Sequence, residues 1–197
     1  MKNLKWFARP DKFKNRLIMV ILGVLIQGFG LSWIIEVSFG TDPCSAFTQG
    51  VISHVPLSFG TAQLLINIIL FVVVFLADTS LIGFGTIANM VFIGYISDFC
   101  RFIYSKTLPA ELFQNTTTRI IILIPALIVF ILGAAMYMTA GLGTSPYDAI
   151  AFIVSERAEN IPFKFIRMSW DIIFLLLGWI MGGNIGVVTF AVAFFLG

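Results

Sequence analysis

Six long apolar runs, at about 17–38, 60–77, 81–103, 119–140, 164–181 and 184–197, decide what this 197-residue chain can fold into. A helix of ~20 residues crosses a hydrocarbon core of about 30 Å. In that solvent every backbone N–H and C=O must find its partner within the protein, a demand that helices meet. The runs therefore predict an all-α polytopic membrane protein with about six transmembrane helices in one transmembrane domain over 1–197. Composition agrees, because only 11% of the residues are charged against about 25% in soluble domains, and the mean hydropathy is +1.00. A net charge of +2 leaves no basic surface to track phosphates, so no nucleic-acid partner is expected. Lys2, Lys5, Arg9, Lys12, Lys14 and Arg16 all precede the first run. Residues 1–16 thus read as a basic cytoplasmic segment under the positive-inside rule, and Leu17 onward reads as a retained anchor, since no small-residue cleavage pattern follows.

Between the runs one motif occurs twice. Gly40-Thr41-Asp42-Pro43-Cys44-Ser45-Ala46 returns 103 residues later as Gly143-Thr144-Ser145-Pro146-Tyr147-Asp148-Ala149. Each copy reads as a chain break followed at once by a helix start, with Gly ending one helix and Pro opening the next. Asp42 and Ser145 stand at the N-cap positions, with Ser45 and Asp148 three residues on, the spacing of a capping box. The segments that follow, about 43–55 and 146–158, are too short and too polar to span, and read as re-entrant or half-depth helices. The repeat extends further: Ile82 through Gly94 matches Ile185 through Gly197 at the same offset, and Gly30 matches Gly133. The chain therefore divides into two copies, about 17–103 and 119–197, each with three crossings, so that the second copy is inverted relative to the first.

Charge counting pulls against that topology. Six crossings put Arg101, Lys106 and Arg119 outside, whereas eight crossings would bring all the basic residues inward. Segment length favours six. The first copy completes its last span after Gly94, while the second stops at Gly197, which suggests that the natural chain continues.

Ionisable groups within spans need a partner or a purpose. Arg167 and Asp171 lie four apart on one helical face, and Gln63 and Asn67 repeat that spacing in neutral form. One reading is an internal ion pair and a hydrogen-bonding pair that hold helices together. The other is a solute site of Thr41, Asp42, Ser45, Gln63, Asn67, Thr144, Ser145, Asp148, Arg167 and Asp171, in which two helix N-termini and Arg167 favour an anionic solute and Asp148 or Asp171 carries a proton. Gln27 and Asn89 read as helix-packing contacts, Glu36 as a surface residue, and His54 as a polar residue at a helix end. Asn115-Thr116-Thr117 has the form of a glycosylation acceptor. Cys44 and Cys100 have no pairing pattern, and no metal cluster, cofactor loop or nucleophile motif is evident, so neither an enzyme nor a cofactor is expected.

The two break motifs, together with Arg167-Met168-Ser169-Trp170-Asp171, resemble the bacterial YczE/YyaS/YitT group of small integral membrane proteins, on the YczE side of that group. The resemblance implies a multi-pass protein of the bacterial cytoplasmic membrane. The repeat and the intramembrane polar groups point to a secondary transporter or permease for a small polar or carboxylate-bearing solute. The alternative is a non-transporting scaffold or accessory subunit that binds a membrane partner, and a homodimer is equally open.

Overall fold

The computed structural model describes residues 7, 9–158 and 160–195. Lys2 and Lys5 lie outside the described residues, as do residues 196 and 197 at the end of the sixth predicted span, Gly197 among them. Among the described residues there are eight α-helices and no strand: α1 Phe13–Val37, α2 Pro43–Ile52, α3 Phe59–Ala77, α4 Phe84–Thr107, α5 Thr116–Thr139, α6 Pro146–Arg157, α7 Phe163–Ile180 and α8 Val187–Phe195. Four of them, α1, α3, α4 and α5, are long and apolar enough to cross a bilayer. The fifth predicted span, α7, has 18 residues but carries Lys164, Arg167 and Asp171. The two capped segments are helices of 10 and 12 residues, about 15 and 18 Å long.

The long helices have no polar face. On α1, Ile18, Ile21, Leu22, Leu25 and Phe29 are exposed while Val20, Val24 and Leu31 are buried. On α3 the exposed set is Leu65, Ile68, Ile69, Val72, Val73 and Leu76. A helix that is apolar on its exposed side as well as its buried side belongs in lipid, which agrees with the sequence reading of a membrane protein.

Helix directions follow from contacts at both ends. α1 and α4 run parallel, since Phe13 packs edge-on against Phe84 at one end, with ring centroids 5.2 Å apart, and Arg101 pairs with Glu36 at 2.8 Å at the other. α1 and α5 run antiparallel. Arg16 donates to the carbonyl of Ala140 at 3.0 Å, and Arg119 donates to the carbonyls of Val37 at 2.6 Å and Ser38 at 3.0 Å. Midway, these two helices touch backbone to backbone. A Cβ on Gly30 would sit 2.6 Å from the Phe130 nitrogen, and one on Gly133 would sit 2.7 Å from the Gly23 oxygen, which is the close approach that small residues allow in membranes.

Burial separates the chain into two apolar cores. One joins Val24 and Leu31 of α1, Ile93 of α4, Phe130 of α5 and Val192 of α8. The other joins Cys44 of α2, Ile66 and Leu70 of α3, Ile150 of α6 and Phe174 of α7. By their cores the helices fall into two groups, α1·α4·α5·α8 and α2·α3·α6·α7, joined where α3 packs along α4 and where α8 meets α7 and α2.

Two local expectations need correction. Gly40 and Gly143 do not end the preceding helices. α1 stops at Val37, with Ser38 in the left-handed region at φ 55°, and α5 stops at Thr139. The arginines already satisfy the last carbonyls there, so the glycines, at φ 93° and 105°, instead turn the connecting chain toward the next helix. Glu36 is not merely a solvated surface charge, because it holds Arg101. Asn115 caps α5, its Oδ1 accepting from the Thr117 nitrogen at 2.9 Å.

Candidate functional site

The predicted caps form as their sequence requires. Asp42 Oδ2 accepts from the Ser45 nitrogen at 3.0 Å, and Ser145 Oγ accepts from the Asp148 nitrogen at 3.1 Å. The reciprocal half of a capping box is absent from both, for Ser45 and Asp148 do not reach back to the N-cap nitrogen. Asp148 turns its carboxylate elsewhere, accepting from Ser145 Oγ at 2.6 Å and from Arg167 at 2.5 Å. Pro43 and Pro146 occupy the first helical turn of α2 and α6, where a missing N–H costs nothing.

Both helix starts open on one cavity of about 200 Å³ between the two bundles. Of the residues nominated from sequence, Asp42, Ser45, Gln63, Asn67, Ser145, Asp148 and Arg167 line it. Thr41 lies behind the wall, fully buried, where its Oγ1 accepts from Gln49 Nε2 at 3.1 Å. Thr144 is tied off by its backbone nitrogen, which donates to the Leu81 carbonyl at 3.0 Å. Asp171, 1% exposed, also lies behind the lining. Its Oδ1 accepts from the Tyr147 hydroxyl at 2.5 Å, and its Oδ2 is 3.4 Å from Arg167 Nε.

The second copy thus carries a continuous chain of charge, Ser145–Asp148–Arg167–Asp171–Tyr147. The guanidinium of Arg167 also lies 4.9 Å from the centre of the Tyr147 ring, and Trp170 Nε1 anchors the Tyr147 carbonyl at 3.1 Å. Arg167 is 18% exposed through the cavity, yet two of its three nitrogens already face carboxylates. The part of the lining that comes from α1 to α4 is neutral apart from Asp42. Asn67 turns back on its own helix, donating to the Gln63 carbonyl at 2.9 Å.

Sequence reasoning missed Gln27, Asn89, Cys44 and Tyr147, all of which line the cavity. Gln27 and Asn89 correct the packing-contact reading. Gln27 faces the cavity from α1, and its buried Oε1 has no hydrogen-bond partner, like that of Gln63. The signal available was the offset itself: Gln27 corresponds to Phe130, Asn89 to Val192 and Cys44 to Tyr147, and both members of each pair line the same space. His54 sits just beyond α2, its Nδ1 3.1 Å from the Gly50 carbonyl. Among the described residues no group of three His, Cys, Asp or Glu side chains is arranged to hold a metal.

An all-helical chain with a lipid-compatible exterior and a charged cavity between two bundles defines an integral membrane protein. The chain belongs to the "Family of unknown function (DUF6198)", which matches residues 14–197. It is 30% identical to the "Uncharacterized membrane protein YczE" of Bacillus subtilis (strain 168) over 89% of this chain and 79% of that protein. It is 26% identical to the "Uncharacterized protein YyaS" of the same organism, over 85% and 82%. An "Uncharacterized protein" of Haemophilus influenzae is 25% identical over 87% and 75%. No solved structure matches.

Proposed function

We propose that the chain is a secondary transporter or permease for a small polar solute, built from two inverted copies. The observation that carries this reading is a set of contacts that recur with partners exchanged at an offset of 103. Arg16 meets Ala140 as Arg119 meets Val37. The Gly85 nitrogen donates to the Leu142 carbonyl at 2.7 Å as the Val188 nitrogen donates to the Phe39 carbonyl at 3.1 Å. Exchanged pairs of this kind are what a two-fold axis produces. A local contact within each copy recurs as well, without exchange: the Gly83 nitrogen donates to Thr86 Oγ1 at 3.0 Å and the Gly186 nitrogen to Thr189 Oγ1 at 3.2 Å.

The parallel course of α1 with α4, and the antiparallel course of α1 with α5, are those required by six crossings with α2 and α6 at half depth. Eight crossings would reverse both relations. Each bundle takes matched helices from both copies, and the polar cavity lies at the seam between bundles. Rocking one bundle against the other would open that seam to either side in turn, the plan of inverted-repeat transporters.

Flux into proteoliposomes, screened across amines, amino acids, vitamins and organic acids, tests the proposal. Saturable uptake that falls in Asp148→Asn and Arg167→Gln is expected. A stable complex with another membrane protein, without flux of any solute, would instead establish the scaffold alternative.

A further inference from the structure

We infer that the solute is a cation: a small molecule bearing an ammonium or guanidinium group, its charge on Asp42 and its N–H groups on the side-chain carbonyls of Gln27 and Gln63. This rests on reading the cavity as the transport site. A carboxylate-bearing solute would need a free positive charge in the cavity, and Arg167, the one cationic side chain in its lining, is committed. Asp148 holds it at 2.5 Å, Asp171 faces its Nε at 3.4 Å, and Tyr147 stacks against it. Prising it away would leave two carboxylates buried without compensation, a heavy cost for any anion to offset. Arg167 is better read as a positioning residue that neutralises Asp148 and Asp171 and fixes the start of α6 against α7.

What remains on the cavity wall is acceptor-rich. Asp42 lines the cavity from the other helix start and forms no salt bridge among the described residues, its carboxylate capping the Ser45 nitrogen at 3.0 Å. Gln27 and Gln63 line the same space, and their buried Oε1 atoms lack donors. Buried acceptors without donors are costly to leave unmade, and two of them beside the Asp42 carboxylate match a ligand that brings several N–H groups and one positive charge. Phe130, Phe152, Phe163 and Tyr147 also line the cavity, and aromatic rings around a bound cation favour it.

Binding is measured on the purified full chain in detergent by calorimetry and thermal shift. Methylammonium, putrescine and guanidinium form one series, acetate and succinate the other. The cationic series is expected to bind and to raise the unfolding temperature. Asp42→Asn is expected to weaken that binding by about 30-fold or more, the fold-change equivalent to losing one partner of a buried charge pair. The variant keeps the α2 cap, since Asn serves as an N-cap as well as Asp does. Gln63→Glu is expected to tighten binding, and Glu111→Gln, outside the cavity, to leave it unchanged.

Binding of acetate or succinate in place of the cations overturns the inference, as does cation binding that survives Asp42→Asn or an absence of binding by either series. Proteoliposome flux separates the two readings. A cation bound through Asp42 but never moved leaves the inference standing and removes the transport function. A carboxylate that is moved keeps transport and overturns the cation.

Discussion

Arg119, at the start of α5, donates its Nε hydrogen to the carbonyl of Val37, the last residue of α1, 82 positions earlier in the chain and 2.6 Å away. The four carbonyls at the end of a helix lack partners within it and carry its negative dipole end, so a guanidinium meets both needs at once. Arg16 does the same for Ala140 at the opposite end of the same helix pair. Under the proposed six crossings Arg119 falls on the side that the positive-inside rule disfavours, and this contact supplies a local structural cause for it.

Truncating either arginine should lower stability. Arg119→Ala and Arg16→Ala are each expected to cost about 1–2 kcal/mol, read as a lower unfolding midpoint of the detergent-solubilised protein. The two losses should add, because the caps lie at opposite ends of the bundle and share no partner.

The α1·α5 crossing is a second point of leverage. Gly30→Ala and Gly133→Ala each drive a methyl group into backbone of the facing helix, and each is expected to destabilise by about 1–3 kcal/mol. Leucine at either position should abolish the folded state, as seen by loss of a monodisperse peak in size-exclusion chromatography.

Breaking the charged chain at Arg167 should cost more. Arg167→Gln leaves Asp148 and Asp171 facing each other with no cation, and a loss of about 3 kcal/mol is expected. Adding Asp148→Asn and Asp171→Asn to the same protein should return most of that stability. A triple variant that is folded yet inactive would separate the functional role of these groups from their structural one.

Sidedness can be read by cysteine labelling in a Cys44→Ala, Cys100→Ala background. Leu57→Cys and Glu111→Cys lie at the α1 end that carries Glu36 and Arg101, whereas Ile161→Cys lies between α6 and α7. Six crossings predict that the first two label from one side of the membrane and the third from the other. All three labelling from the same side would mean eight crossings.

The helix starts were legible in the sequence because they depend on neighbours in the chain: Asp42 and Ser145 cap the nitrogens three residues on, and Pro43 and Pro146 follow directly. The Arg167–Asp171 pair was legible for the same reason, from its i,i+4 spacing. Gln27 and Asn89 were not, since a lone amide in an apolar run has the same local pattern whether it packs a helix or faces a cavity. Only their repeat partners, Phe130 and Val192, tie them to the same space. Arg16 and Arg119 are likewise related by the offset, but each reads locally as a flanking charge, and its carbonyl partner lies 124 or 82 residues away.

The unequal distribution of charge between the copies bears on how the chain enters the bilayer as it is synthesised. The first copy offers Gln63 and Asn67 where the second has Arg167 and Asp171, and α3 meets the length and hydropathy of a spanning helix on its own account. Partitioning from the translocation channel is therefore favourable for α1, α3 and α4 in turn, their charges lying toward helix ends rather than at mid-span. The charged helix α7 arrives last but one, when α2 is already present to pack along it through Phe47 and Gly178. Asp148, on α6 and 19 residues ahead of Arg167 in the chain, is already in place to neutralise it. The charged helix thus follows in the chain the partners that receive it.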